Sequence, residues 1–292
     1  MSGHVGIPSA RDARGRSFGY LAIDDDPQPF EKPLICGGCE TRVDPVRGYV
    51  RRDSTSVRAH YPLTNRAQAP HADGCPYDFD AEVGRLLVEH RREIERNGDV
   101  YELRLPDLSG GVDEAAPDPV AESGARDRLV VHEQPGRRLP PALMAAAAVA
   151  RLLRVYEDDP EAQARFRASW NGRTIPWGDF YFDVARDALR LGQVIRAEKG
   201  YPVAVAGTVK KLGESASGQS YVELDTVRGV PDKASARWIH VRAYSNQAKH
   251  LPFETGQRVL GYGHWKAYAP DDSSSIFFNL WVDHRSLIAT VD

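Results

Sequence analysis

The sequence predicts a multidomain α+β protein: an N-terminal α+β domain gathered around a cysteine cluster, a helical middle segment and a C-terminal five-stranded Greek-key barrel. Three observations carry this. All three cysteines, Cys36, Cys39 and Cys75, lie within forty residues of one another. Apolar residues recur at intervals of three and four in the middle of the chain, and from Tyr201 onward the period changes to two. With 292 residues, 41% of them hydrophobic and 27% charged, the chain is long enough for about two domains and is neither collagen-like nor disordered as a whole. A net charge of −3 provides no global field for collecting nucleic acid or anionic lipid, so any polyanion site must be local. The basic residues are 31 arginines and seven lysines, a bias expected of a GC-rich bacterial genome.

The longest apolar run, Ala142 to Ala150, falls far short of the roughly 20 residues a membrane span needs, so no membrane association is expected. The first twenty residues lack the apolar stretch of a secretory signal, and a cytoplasmic location follows as the expectation. An odd number of cysteines in a reducing compartment argues against a disulfide framework and for metal binding.

The first domain, residues 1–105, should hold short strands at Tyr20–Ile23, Leu34–Ile35, Gly48–Arg51 and Ser56–Tyr61. Phe79, Val83, Leu86, Leu87 and Ile94 predict a helix from Asp78 to about Arg96 that Asn97-Gly98 terminates, followed by a strand at Tyr101–Leu105. Residues 106–139 read as a flexible linker, because Gly110, Gly111, Pro117, Pro119, Gly124 and Gly136 crowd together with many acids. Residues 140–199 read as a helical segment of three helices. The first runs from Pro140 to about Tyr156; the second is capped by Asp159-Pro160 and ends at Trp170-Asn171-Gly172. The third runs from Trp177 to about Lys199 with Asp179, Asp183 and Asp187 as a solvated acidic stripe on one face.

In residues 200–292, Val203, Val205 and Val209 alternate with small residues, and Gly207 is expected to break that strand at a bulge. Further strands follow at Tyr221–Asp225, Trp238–Tyr244, Arg258–Tyr268 and Ile276–Val282, with a short helical piece at Asn246–Leu251. Five strands with a helix between the third and fourth is the order of an OB-fold β-barrel.

Cys36-x-x-Cys39, His60 and His71-x-x-x-Cys75 offer five ligand-capable side chains where Zn2+ needs four. Gly37 and Gly38 give the freedom a two-thiolate knuckle uses. The expected set is Cys36, Cys39, His71 and Cys75, with His60 as the alternate fourth ligand. Four protein ligands close the coordination sphere, so the role is structural. Leu34–Cys39, Val57–Tyr61 and His71–Tyr77 resemble the zinc-binding segment of CoiA-like competence proteins. That resemblance covers about residues 20–80 and implies a DNA context. Its relatives continue into a restriction-endonuclease-like domain, but Glu198-Lys199 lacks the spacer of a nuclease Glu-x-Lys pattern, so nuclease activity is not expected here.

Alternation in the third barrel strand points Ile239, Val241 and Ala243 inward and Trp238, His240, Arg242 and Tyr244 outward. In the fourth, Arg258, Tyr262, His264, Lys266 and Tyr268 are expected outward; in the fifth, Phe277 and Trp281. Interleaved aromatics and cations suit single-stranded DNA or RNA, since any base stacks on a ring and phosphates meet Arg or Lys. Trp238–Tyr244 through Thr255–Gly263 resembles bacterial single-stranded DNA-binding proteins, a resemblance over about residues 201–290 that implies an OB-fold and strand binding. Residues 201–292 carry a net charge of only +1, which leaves a second expectation open: a scaffold protein whose barrel and zinc module dock to protein partners or to a second copy. No Ser/His/Asp set, phosphate loop or paired carboxylates at workable spacing is present, so the expected role is noncatalytic.

Overall fold

The computed structural model describes residues 5–25, 27–50, 52, 54, 56–65, 70–106, 135–156, 159–197, 199–228, 238–269 and 275–291. It is a mixed α+β structure, mostly strands in several sheets, and divides into two compact units. The first comprises residues 1–92, 96–101 and 148–166; the second 93–95, 102–147 and 167–292. Most of the expected linker, residues 107–134, lies outside the described residues.

In the first unit, β1 (Ser9–Arg11), β2 (Ser17–Gly19), β3 (Leu34–Cys36) and β4 (Arg42–Val43) form one antiparallel sheet in the order β2-β1-β3-β4. A small hairpin pairs β5 (Tyr49–Val50) with β6 (Ser56–Val57). Tyr20–Ile23, expected as a strand, is a 3₁₀ turn that drops Ile23 into the core. That core also holds Ile7, Leu34, Val43, Tyr61 and all three cysteines. Arg58 clamps its rim: the guanidinium lies 4.2 Å over the Tyr20 ring and donates to Asp159 at 2.9 Å and to the Tyr156 carbonyl at 2.8 Å.

Helix α1 (Phe79–Glu89) is capped by the Asp78 side chain, which accepts from Ala81 N. It is shorter than expected. Ile94 belongs instead to β7 (Ile94–Asn97), which turns at Gly98, φ 64°, into β8 (Val100–Arg104). The Asn-Gly pair is therefore a hairpin turn and not a helix stop.

Helix α2 spans Pro135–Val155, and α3 is a single short piece, Pro160–Ala164, whose cap Asp159 accepts from Glu161 N and Ala162 N. The expected continuation of α3 to Trp170 is instead β9 (Phe166–Trp170), paired with β10 (Arg173–Pro176). Asn171 and Gly172 both have positive φ, 48° and 73°, and Trp170 pairs with Arg173, which is a type I′ turn. The single helix expected over Trp177–Lys199 is likewise three elements: α4 (Trp177–Phe180), β11 (Tyr181–Asp183) and α5 (Val184–Arg196). The acidic stripe dissolves with it. Asp179 pairs with Lys199, Asp183 is buried as the cap of α5, and Asp187 accepts from Asp183 N.

The remaining strands are β12 (Val203–Thr208), β13 (Lys211–Glu214), β14 (Ser220–Glu223), β15 (Val227–Arg228), β16 (Trp238–Ser245), β17 (Arg258–Gly263), β18 (Lys266–Tyr268), β19 (Ser275–Trp281) and β20 (Ile288–Thr290). They build two sheets, β11-β12-β17-β20 and β13-β14-β16-β19-β18. β12 and β13 are halves of one bent strand, as are β17 and β18, so the two sheets share both. The circuit runs first, second, third, fifth, fourth and back to the first strand, with β16 and β19 parallel. The bend falls at Val209–Lys210 and not at Gly207, which stays in β12 at a point where a Cβ would lie 3.0 Å from Leu224 Cβ. The helical piece expected at Asn246–Leu251 is one 3₁₀ turn, Ala248–His250.

Inside the circuit sit Val205, Val222, Leu224, Val241, Ala243, Phe278 and Leu280, joined by Leu191 and Val194 of α5. β11 pairs in parallel with β12, and α5 shares this core. At Gly192 of α5 a Cβ would lie 2.8 Å from Phe278 Cζ. Gly192→Ala should therefore destabilise the second unit by about 1–3 kcal/mol through overpacking, measured as a lower urea midpoint at unchanged slope.

Candidate metal centre and outer sheet face

Four of the five ligand-capable side chains come together. One donor atom from each of Cys36, Cys39, His71 and Cys75 lies within 4.8 Å of the others. Cys36 Sγ and Cys75 Sγ are 3.8 Å apart, and Cys39 Sγ is 3.5 Å from His71 Nδ1. Thiolates bound to zinc at about 2.3 Å in a tetrahedron stand roughly 3.8 Å apart, so the residues fit that ion. His60 is elsewhere: its backbone pairs with Val46, its Nδ1 sits 3.0 Å from the Arg58 carbonyl, and its side chain packs on Gly6. The alternate ligand is therefore excluded from this cluster.

Two knuckles build the centre. In the first, Gly38 N donates to Cys36 Sγ at 3.4 Å and Cys39 N to the Cys36 carbonyl at 3.3 Å. A Cβ at Gly38 would meet Pro76 at 2.8 Å and Cys75 Sγ at 3.0 Å, so the two knuckles can close only over a glycine. In the second, Gly74 takes φ 75° and Cys75 N donates to the Ala72 carbonyl. Burial pushes the Cys36 thiol up to about 12 and raises Cys75 as well. Burial also works against ionising Cys39, but contacts from Thr41, the Ala72 N–H and His71 outweigh it and bring that thiol down to about 6. A dication among them would hold all three as thiolates.

The second feature is the outer face of the sheet β14-β16-β19-β18. Register puts its side chains in three rows across the strands. Tyr221, Tyr244 and Trp281 form one aromatic row, with ring centroids 5.5 and 5.8 Å apart. His240, Phe277 and Tyr268 form another, at 5.0 and 6.4 Å. Between them runs a polar row: Glu223, Arg242, Asn279 and Lys266. Trp238 stands at the end of β16 opposite Ser275 and is 45% exposed.

Arg242 is not the free phosphate contact its position suggests. Its guanidinium lies 5.0 Å over Tyr221 and 4.6 Å over Phe277, and donates to Glu223 at 2.6 Å and to Tyr244 Oη at 3.3 Å. Glu223 is buried and also accepts from His240 Nδ1 at 3.0 Å. Burial alone pushes Glu223 up, and the bonds from His240 and Arg242 more than offset it, so its carboxyl titrates below the usual carboxylate range. The stabilisation this cluster gives is therefore complete at neutral pH and fades as acid protonates Glu223 below that range.

Two other expected contacts move off the face. Tyr262 is fully buried with its ring against Phe180, and Arg258 donates to buried Asp183 at 2.6 Å. Both belong to β17, whose sheet is covered on its two sides; Val203 through Gly207 in the neighbouring strand are all buried. Alternation marks the outside only where one face meets water. His264 is exposed, edge-on to Trp170 at 5.8 Å, while its neighbour Trp265 is buried. Tyr221 and Asn279 are face residues that strand alternation with Glu223 and Trp281 would have revealed.

No family model matches the chain, and no curated protein does. Among solved structures it is similar to the N-terminal domain of PriB from Thermoanaerobacter tencongensis, at 13% identity over 32% of this chain and 99% of that one, TM-score 0.20. It is also similar to the wild-type single-stranded DNA-binding protein of Thermus aquaticus, at 14% identity over 32% of this chain and 43% of that one, TM-score 0.20. A deletion mutant of the same Thermus protein matches at 15% identity over 31% of this chain and 50% of that one, TM-score 0.20. The chain spans half or less of the length of the two Thermus chains.

Proposed function

We propose that the chain is a noncatalytic, DNA-associated protein in which a structural zinc module accompanies an OB-fold that binds single-stranded DNA or RNA. The observation that carries this reading is the pair of aromatic rows, Tyr221-Tyr244-Trp281 and His240-Phe277-Tyr268, on one open sheet face. Rings spaced along and across strands offer successive bases a stacking surface that is indifferent to sequence. Cys36, Cys39, His71 and Cys75 would hold the zinc, which supplies a fixed cross-link and no open coordination position. The layout proposed is a zinc domain in residues 1–105, a linker in 106–139, a helical segment in 140–199 and the OB-fold in 200–292. A bacterial, cytoplasmic setting agrees with the composition, and no helix among the described residues is long and apolar enough to cross a membrane.

Labelled single- and double-stranded oligonucleotides test the reading: the single strand should bind in the presence of about 50 mM salt with little base preference, and the duplex more weakly. Neutralisation of Arg242 by Glu223 favours a second reading, in which the same face docks a protein or a second copy. Absence of any oligonucleotide binding, with self-association or a protein partner that Trp281→Ala abolishes, would select it. Glu223→Gln separates the two further. Releasing Arg242 should tighten strand binding at low salt and steepen its salt dependence by about 0.7 in logarithmic slope, the contribution of one phosphate contact.

A further inference from the structure

Beside β18 the second unit has a cleft of about 520 Å³ lined by Arg196, Lys199, Tyr201, His264, Trp265 and Lys266, among others. Its charge is one-sided. Lys199 is paired to Asp179 at 2.8 Å, but no described carboxylate lies within ion-pair distance of Arg196 or Lys266. Arg173 donates to the Lys199 carbonyl at 3.4 Å. The Trp265 indole N–H is buried and meets no acceptor among the described residues. Two unpaired cations around one concavity favour an anion.

Lys266 belongs to both places. It ends the polar row of the sheet face, opposite Asn279, and it lines the cleft. We propose that the cleft is a phosphate-binding continuation of the aromatic face: a single strand whose bases stack on the rows leaves across Lys266 and lays its next backbone phosphate against Arg196. The inference rests on the nucleic-acid reading above and extends it, because the face itself has almost no unpaired cation with which to meet a backbone. Stacking and charge are then divided between the sheet and the end of α5.

The test uses the full chain and oligodeoxythymidines of roughly 4 and 16 nucleotides, the span of lengths a single OB-fold engages. Arg196→Ala should leave the short strand unaffected. It should weaken the long strand about 5-fold near 0.1 M salt and lower its logarithmic salt slope by about 0.7, as expected for one lost phosphate contact. An unchanged slope and affinity for the long strand would overturn the cleft while leaving face binding intact. Equal weakening of both strands would also overturn it, pointing to a structural role for Arg196, which a lowered melting temperature would confirm. If the wild type binds neither strand, the nucleic-acid reading falls and the cleft with it.

Discussion

Cys36→Ser should unfold the first unit while the second stays folded. The centre gathers two knuckles forty residues apart in the chain, and the elements around it are strands of two or three residues. Such strands bury little, so a zinc cross-link there would supply much of the folding free energy; zinc in comparable small modules contributes on the order of 10–16 kcal/mol at neutral pH. The protein should carry about one equivalent of zinc, and chelation should reproduce the effect of the mutation. Two readouts check it: metal analysis of protein purified without chelator, and amide exchange of residues up to about 92 compared with those of the barrel. Zinc below about half an equivalent, or full protection of the first unit after chelation, would refute the metal assignment.

Trp281→Ala combined with Tyr268→Ala removes the most exposed ring of each aromatic row, and should weaken single-strand binding by roughly 2–6 kcal/mol if each stacks one base. The fold should survive, because these rings are 42% and 60% exposed and contribute nothing to the interior. Fluorescence titration with an oligonucleotide beside a thermal melt separates the two effects. Unchanged affinity with an unchanged melt would move the face to the protein-docking reading. Tyr262 would have been a poor choice for this test, since truncating it opens a cavity in the core.

The Cys36, Cys39, His71 and Cys75 grouping was more legible in the sequence than the fold around it. Ligand chemistry is carried by residue type and spacing, and cysteine is rare enough here that three in forty residues are informative. What spacing could not decide was His60 against His71; that depended on the bridge to Val46, which turns His60 away. The helix boundaries failed twice for one reason. Asn97-Gly98 and Asn171-Gly172 both fit helix ends in the sequence, and both are hairpin turns joining strands of only four or five residues. Short apolar runs before an Asn-Gly pair satisfy either pattern, and only the partner strand decides. The barrel strands were legible where one side faces solvent, as in β16, where burial alternates without a break. They were illegible in β17, where both sides are covered and Tyr262 passed for an outward residue.

The parallel pairing of β16 with β19 also bears on how the face comes into being. Trp238 meets Ser275 and Tyr244 meets Trp281, partners thirty-seven residues apart in the chain, whereas β13 with β14 is a local hairpin. Both aromatic rows cross that parallel seam. A chain that has formed its hairpins but not the seam therefore has each row split two rings to one across an open edge and no continuous surface. Closing a loop of that size before any contact rewards it is the slow kind of step in β-rich chains. In refolding, ring-to-ring signals between Tyr244 and Trp281 should accordingly appear after the local β13–β14 hairpin has formed, so the continuous aromatic surface arises later than the hairpins that carry its parts.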